Sequence, residues 1–411
     1  MDSQKIGRRA FAVGLAAGFS ALTLAGSAGT AFAADKVIKI GISLPVSGAE
    51  TTQGVPTRNG AVLAIEEANA AAVPGGFKFA AFDLDDAVQG VHDPAQGAQN
   101  VKTFVADATV VGMVGPFNSN VAKAEIPVSN DAGLVMISPA NTNPTLTKGD
   151  DAKKLRPSHP DVNNYFRVCT TDDKQGAAGA NFAKSLGYKN IFVIDDNETY
   201  GKGLADIFEA DFKKAGGNIL GHEHVTKGQQ DFKALLTKIK SSNPDAIFFG
   251  GVTASGGGLI RKQMADVGLD KVAYFGGDGI SDDEFIKITG PMADGSYYTV
   301  AAPETTKLPS AKPFIAAYKK RWGTDVGPYS ANAYSAAKII IAASLKALKD
   351  NGGKQPTRAE VLKNVQATSL DTPIGHVGFD ANGDTTAPIL SLYSIKGGKA
   401  VFVNQINLAG K

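Results

Sequence analysis

Strand and helix signals alternate along this chain almost without interruption, and the series occurs twice. Val37–Leu44 (VIKIGISL) is an apolar, β-branched run, and in Gly54–Ala72 the apolar positions Val62, Ile65 and Ala68 recur at helical spacing. Phe77–Phe82 reads as a strand, Pro94–Ala106 as a helix with proline near its first turn, and Val110–Gly115 and Gly133–Ile137 as further strands. After Tyr165–Cys169 the pattern begins again. Helices at Lys174–Leu186, Gly203–Lys214, Phe232–Ile239 and Leu259–Val267 separate strands at Asn190–Ile194, Ile219–Val225, Ala246–Phe249 and Val272–Phe275, with Ser296–Ala301 following. Such βαβα series fold into doubly wound parallel sheets, so the spacing predicts an α/β protein with two lobes. Helices at Pro313–Trp322, Ala331–Leu348 and Thr357–Val365 precede two late strands, Gly375–Phe379 and Ile389–Ile395, so the chain should cross between lobes more than once. Asp380–Asp384 (DANGD) is expected to turn the chain between those two strands as a hairpin.

The first 33 residues stand apart from this pattern. Lys5, Arg8 and Arg9 form a basic start, Ala10–Gly29 is weakly apolar, and Ala31-Phe32-Ala33 is a small-residue cleavage site. Arg8-Arg9-Ala10-Phe11 follows the twin-arginine pattern, which is favoured here over the general export route. The segment is too Gly-rich and too poor in Leu and Ile to favour a membrane-spanning anchor, and no cysteine near the cut supports lipid attachment. A cleaved signal peptide and a periplasmic mature protein are therefore expected. Cleavage after Ala33 leaves 39 basic and 39 acidic residues, a formal charge of zero. A neutral chain without a basic block is a poor partner for nucleic acid or an anionic membrane. The remaining length fits two domains rather than one core. Cys169 is the only cysteine, so no intramolecular disulfide or multi-cysteine metal site can form, and a buried structural thiol is expected.

Several polar groupings invite a chemical reading. Asp83, Asp85 and Asp86 end a strand without the glycine and glutamate spacing of a calcium loop, and read as helix-capping or lobe-contact groups. Gly256–Gly258 lacks the following Lys-Ser/Thr of a phosphate loop and reads as a flexible start to a helix. His222 and His224, at i and i+2 on a strand, share one face; with no other spaced ligand nearby they read as a surface or half-buried pair, and no metal or other cofactor is expected. No G-x-S-x-G elbow is present and the five histidines sit in no recognisable catalytic context, so an enzyme is not expected.

The stretch Gly115–Thr142 carries the strongest functional signal. Val110–Gly115 stops at Pro116, and Asn118, Ser119 and Asn120 stand where Val121, Ala124 and Val128 begin a helical spacing; the next strand ends in Ser138-Pro139-Ala140-Asn141-Thr142. Two adjacent parallel strands would deliver short polar side chains and free backbone N–H groups to one sheet edge, a natural seat for a carboxylate. Two later loops could face it: Asp195–Gly201 (DDNETYG), and Asp278 between Gly277 and Gly279. A carboxylate flanked by glycines suits an ammonium group, although an ordinary turn aspartate satisfies the same pattern.

Taken in order, IGISLPVSG, DDAVQGVHDPAQGAQNV, VGPFNSN, MISPANT, NYFRVCTTDDKQG, NETYGKGLA, GGDGI and PIGHVGFDANGD span nearly the whole mature chain. This series resembles the periplasmic branched-chain amino-acid-binding proteins of ABC transporters, the type I solute-binding proteins that include the leucine/isoleucine/valine binder. The resemblance implies two α/β lobes joined by a three-stranded hinge, with crossovers near Val168–Asp172, Val300–Pro303 and Asp371–Gly375. It implies lobe 1 at residues 34–169 plus 302–371, and lobe 2 at 170–301 plus 372–411. By the same resemblance, Ser119, next to Asn118, and Thr142 hold a ligand α-carboxylate, with the Ala140 backbone between them. Asp278 stands where the family has a glutamate for the α-ammonium, and Tyr200 closes over the ligand. Gln53, Val252 and Tyr329 fall on the side-chain pocket, Gln53 and Val252 replacing aromatic residues of the leucine/isoleucine/valine binder. The family disulfide is absent, Asp86 or a neighbour and Asn118 standing in those regions. The implied partners are an amino-acid ligand and ABC permease subunits, with the binder itself a monomer. Cargoes without an ammonium group, such as an amide, urea or an aromatic acid, are the alternative, as is a ligand-sensing protein of the same fold.

Overall fold

The structure, a computed structural model, describes residues 36–409; the leader read at residues 1–33 lies outside them. Alternation of strand and helix is carried through in the first part by β1 (Val37–Leu44), α1 (Thr51–Ala70), β2 (Lys78–Asp85), the short pair β3 (Ala87–Val88) and β4 (Val91–His92), α2 (Pro94–Ala106), β5 (Val110–Val114), α3 (Ser119–Asp131), β6 (Val135–Ser138), α4 (Gly149–Lys154) and β7 (Tyr165–Arg167). The second part holds α5 (Asp172–Ser185), β8 (Asn190–Asp195), α6 (Thr199–Lys214), β9 (Asn218–His224), α7 (Lys233–Ser241), β10 (Ala246–Gly250), α8 (Gly257–Gln263), β11 (Ala273–Gly276), α9 (Asp283–Thr289) and β12 (Ser296–Val300). The chain ends in α10 (Lys312–Trp322), α11 (Ser330–Asp350), α12 (Arg358–Gln366), β13 (Ser369–Thr372), β14 (Gly375–Gly378), β15 (Ile389–Lys396) and β16 (Lys399–Asn407). Among the described residues no helix is long and apolar enough to cross a membrane.

Two sheets organise these elements. The first runs β2-β1-β5-β6-β7, all parallel. The second runs β16-β15-β12-β11-β10-β8-β9, with β15 alone running against the other strands and antiparallel to both of its neighbours. Strands β5, β6 and β10 are buried at every residue, as central strands of a parallel sheet covered on both faces must be. Local chemistry sets the helix ends. Asp93 caps α2 by accepting from the Gln96 N–H, with Pro94 at the first helical position, and Thr357 and Glu360 form a reciprocal capping box at α12.

Three passages link the sheets, and they are laced side by side. The Thr170 N–H donates to the Ala301 carbonyl at 2.9 Å, Thr170 Oγ1 to the Ile389 carbonyl at 2.7 Å, and Ser391 Oγ to the Ala302 carbonyl at 2.8 Å. The third passage comes later than Asp371–Gly375. Those residues form the tip of the β13–β14 hairpin, and the following loop still rides on β7, where the Arg167 N–H donates to the Gly383 carbonyl at 3.0 Å. The chain joins the second sheet only at Ile389.

Two further expectations are corrected at this end of the chain. Asp380–Asp384 does not join Gly375–Phe379 to Ile389–Ile395 as a hairpin: β14 pairs with β13, and β15 with β12 and β16. The DANGD loop instead closes on itself, the Asp380 N–H donating to the Asp384 carbonyl at 2.9 Å, and so presents the Asp384 carboxylate to Arg167. Strand β16 is an addition that the sequence reading lacked. It pairs with β15 across Gly397–Gly398, both at positive φ, and lies at the sheet edge with Val401 and Val403 exposed. An edge strand without a buried face breaks the alternation from which strands are read.

Candidate functional site

Strand ends from both sheets face one another across a narrow cavity lined by Phe117, Asn118, Ser119, Asn120, Ala140, Asp196, Glu198, Tyr200, Val252, Asp278 and Gly279. Its first wall is the Gly115–Thr142 stretch. Strand β5 is followed by Gly115, whose φ of 128° excludes most side chains and whose missing Cβ would lie 2.2 Å from the Ser43 carbonyl oxygen. The chain can then turn sharply into α3 at Ser119. Asn118 occupies the N-cap position in extended conformation but does not cap the helix; its Nδ2 donates to Glu50 Oε2 at 3.1 Å. Asn120 Oδ1 accepts the Val121 N–H at 2.9 Å, so of the opening N–H groups of α3 those of Ser119 and Asn120 remain available, beside the buried Ser119 side chain.

A hydrogen-bond net fixes the two loops of this wall relative to each other. Ser138 Oγ donates to the Pro116 carbonyl at 2.8 Å, and Asn141 Nδ2 to the Phe117 carbonyl at 2.7 Å. Beneath them lies the fully buried Arg167. Its guanidinium donates to Asp384 at 2.7 Å, to the Asn141 and Asn143 carbonyls at 3.0 and 2.8 Å, and to Thr147. Every donor of a buried arginine needs an acceptor, and here two of them are backbone carbonyls of the loop that carries Ala140 and Thr142.

The second wall is acidic. Asp278 is buried directly after β11, and its Oδ1 accepts from Gln175 Nε2 at 2.7 Å and from the Tyr200 hydroxyl at 3.1 Å. Tyr200 in turn accepts from the Gly279 N–H at 3.1 Å. Gly279 is required by close approach, since a Cβ there would lie 2.2 Å from the Gly251 carbonyl oxygen. Burial raises the Asp278 carboxyl above its ordinary range despite those hydrogen bonds. Asp172, at the start of α5, is fully buried; neither of its oxygens has a hydrogen-bond partner among the described residues. Burial first, then the charge of Asp278, push Asp172 well above the carboxylate range. Asp196 is also raised by burial, to about 6, although Ser255 Oγ donates to it at 2.6 Å.

Contacts bridge the walls around the cavity. His92 is buried between Glu50 on one side and Glu198 on the other, the latter at 2.8 Å. Burial by itself would lower this imidazole; the two carboxylates overcome it and raise the group to about 10, so His92 is a cation at neutral pH. Lys227 Nζ donates to the His92 carbonyl at 2.9 Å, and Asn143 Nδ2 to the Thr199 carbonyl at 2.6 Å.

Of the nine residues singled out in the sequence, Asn118, Ser119, Ala140, Tyr200, Val252 and Asp278 line the cavity. Gln53 lies in the first turn of α1, and its Nε2 reaches the Asp278 carbonyl at 3.3 Å. Tyr329 packs edge-on against Phe117, ring centroids 5.6 Å apart, with its hydroxyl toward Asp278. Thr142 is buried behind the lining next to Asp172, and its Oγ1 has no partner among the described residues by hydrogen-bond geometry. Sequence reasoning missed Glu50, His92, Asp172 and Gln175. The last two fall in DDKQG, a polar run after a strand, and the first two gave no local signal. Asp83 pairs with Arg58, Asp85 Oδ1 accepts the Val46 and Ala87 N–H groups, and Asp86 is buried beside Glu50 and His92; none of the three caps a helix. Cys169 is buried, and burial pushes its thiol far up, which fits a structural role.

The family model for periplasmic binding proteins matches residues 37–399. The Leu/Ile/Val-binding protein homolog 3 of Brucella melitensis is 33% identical over 384 residues, which are 93% of this chain and 98% of that protein. The crystal structure of the branched-chain amino-acid transporter substrate-binding protein LivJ from Streptococcus pneumoniae, in complex with isoleucine, superposes with a TM-score of 0.77 at 27% identity, covering 90% of this chain and all of that one. A solute-binding protein from R. palustris in complex with benzoate shares the fold, with a TM-score of 0.76 at 19% identity over 91% of this chain and 98% of that one. The chain belongs to the periplasmic branched-chain amino-acid-binding protein family, the type I solute-binding proteins of ABC transporters.

Proposed function

We propose that this protein captures an amino acid, branched-chain or related, between its two lobes outside the cytoplasm and delivers it to an ABC permease. The observation that carries the reading is the opposite polarity of the two cavity walls. The start of α3 at Ser119 offers N–H groups and the positive end of a helix, while Asp278 is a buried carboxylate on the other side. A ligand bearing both a carboxylate and an ammonium matches both at once. In this assignment Ser119, Ala140 and Thr142, with Asn118 beside them, hold the carboxylate, Asp278 meets the ammonium, and Tyr200 closes over the ligand. Gln53, Val252 and Tyr329 then bound its side chain.

The ligand binds first on the wall built by α3 and β6, and closure brings Tyr200 and Asp278 across. Water leaves, each charge-assisted bond strengthens, and the population shifts toward the closed form. The two moving bodies are residues 36–169 with 302–384, and 170–301 with 389–409, the boundary after 371 moved later by the third passage. The closed protein, a periplasmic monomer freed of its leader, docks on the permease.

Isothermal titration calorimetry tests the assignment. Leucine, isoleucine and valine should bind, and 4-methylpentanoate, which is leucine without its ammonium group, should not. Equal affinity for leucine and 4-methylpentanoate would remove the ammonium subsite and leave a carboxylate binder; preferential binding of benzoate, urea or an amide would replace the amino-acid cargo.

A further inference from the structure

Away from the cavity, the open end of β8 and β9 gathers a second set of groups. Parallel pairing sets Asp195 directly opposite His224 and Val193 opposite His222, so the two histidines and the aspartate share one face of the sheet. One carboxylate oxygen, Asp195 Oδ2, receives both rings: His222 Nε2 at 2.7 Å and His224 Nδ1 at 2.8 Å. One ligand atom from each of the three residues lies within 4.8 Å of the others. Asp195 is buried, His222 is half-buried and His224 is open to solvent, so a path inward exists. The far nitrogen of His222, Nδ1, meets Glu209 Oε2 at 2.7 Å.

We propose that Asp195, His222 and His224 form a binding site for a divalent transition-metal ion of the zinc class. The donor set, two imidazole nitrogens and one carboxylate oxygen, is the borderline set that such ions prefer over magnesium or calcium. A tetrahedral ion needs its ligand atoms ~3.4 Å apart, which follows from metal–ligand bonds of about 2.0–2.2 Å. The present contacts would open by roughly half an ångström as the ion replaces the bridging protons, leaving a fourth position to water. Glu209 supplies the outer support that metal-bound imidazoles require, holding His222 in the tautomer that turns Nε2 toward the ion. The charges that face this site are already paired: Lys213 Nζ with Glu209 Oε1 at 2.6 Å and Lys202 Nζ with Asp206 Oδ2 at 2.6 Å. Asp195 also accepts the Asn197 N–H at 2.7 Å, so an ion here would pin the start of the loop that carries Asp196, Glu198 and Tyr200 to the cavity. The site is independent of the identity of the bound solute.

The test is zinc titration by calorimetry of the full protein, purified without a histidine tag and stripped with EDTA. One zinc per chain should bind; His222→Gln and His224→Gln should each abolish binding or weaken it strongly. Glu209→Gln should weaken it by about tenfold, the effect of an outer-shell change, and His376→Gln should leave it unchanged. No saturable zinc binding, or binding unaltered in both ligand variants, overturns the site. Should a variant fail to fold in EDTA, diethyl pyrocarbonate footprinting of the unsubstituted protein decides: zinc must protect His222 and His224 but not His376, and equal labelling with and without zinc rejects the proposal.

Discussion

The two walls of the cavity are built on opposite principles. The first wall, from Gly115 to Thr142, is neutral in its lining: short side chains, backbone amides and a helix start, held in place by Ser138, Asn141 and the buried Arg167. The second wall concentrates carboxylates at Asp196, Glu198 and Asp278, with Asp172 buried behind them. Buried charge is costly unless paired, and burial raises Asp172, Asp196 and Asp278 alike. One wall is therefore finished before the ligand arrives, whereas the other is improved by it. A preorganised wall captures; a strained acidic wall rewards closure around a cation. This asymmetry is the physical basis for expecting the ligand to dock first at Ser119 and to be locked afterwards by Asp278.

The most damaging way to break the comparison is to remove the support of the first wall. Arg167→Met should destabilise the protein by about 3 kcal/mol, because it leaves the buried Asp384 carboxylate with Lys148 alone, at 3.5 Å, and frees the loop carrying Ala140 and Thr142. Urea unfolding measures the loss, and a change below about 1 kcal/mol, the scale of an exposed pair, would show that the net does not hold that wall. The second wall should respond in affinity instead. Asp278→Ala is expected to weaken amino-acid binding by about 2 kcal/mol or more, as for truncation of one partner of a buried charge pair, while folding stability stays level or rises because a buried carboxylate is gone. Calorimetry with leucine and a thermal melt without it separate the two effects; unaltered affinity removes Asp278 from the site.

Which of these features could be read from the chain follows from their range. The two βαβα series and the Ser119 helix start are local signals, encoded within a few residues by periodicity and capping chemistry, and the structure places them where the spacing does. Tyr200 and Asp278 were legible as polar groups at strand ends, because loops after parallel strands converge on one sheet edge. Arg167–Asp384 was not legible: 217 residues separate the partners, and only the later third passage between the sheets brings DANGD onto β7. His92 was hidden for a similar reason, since its two carboxylates come from different walls, Glu50 and Glu198. Edge strand β16 escaped because exposure removes the pattern that burial imposes.

The contrast also has a pH signature. A carboxyl whose folded value is raised binds more protons in the native state than in the unfolded one, so its contribution to stability is greatest in acid and is lost as pH rises through the folded value. For Asp196, raised to about 6, the sign gives a loss of about 2 kcal/mol between pH 4 and pH 7. Asp196→Asn should flatten that slope in ligand-free protein and should gain stability at pH 7 but not at pH 4. His92 runs in the same direction, in a higher pH window. Its imidazole is raised to about 10, so its contribution is complete below about 6.5, the ordinary histidine value, and fades as pH climbs toward 10. Chemical denaturation at stepped pH reads both, and an Asp196→Asn profile parallel to that of the unsubstituted protein would mean that Asp196 carries no such strain.

The smallest expected effect sharpens the first wall itself. Ser119→Ala removes one hydroxyl from a wall that also offers the opening N–H groups of α3 and the Ala140 backbone. Because those backbone donors survive the substitution, the loss in leucine affinity should be about 1 kcal/mol, the value of one hydrogen bond among several. Helix stability should barely move, since the N-cap position belongs to Asn118 and not to Ser119. A Ser119→Ala loss as large as that of Asp278→Ala would mean that the hydroxyl, and not the helix terminus, seats the carboxylate. The two walls would then be alike in resting on single side chains, and the asymmetry between a preformed backbone wall and an acidic closing wall would fall. An affinity change of about 1 kcal/mol that persists at high salt would instead keep it, because backbone donors inside a closed cavity are shielded from screening ions in a way that exposed charges are not.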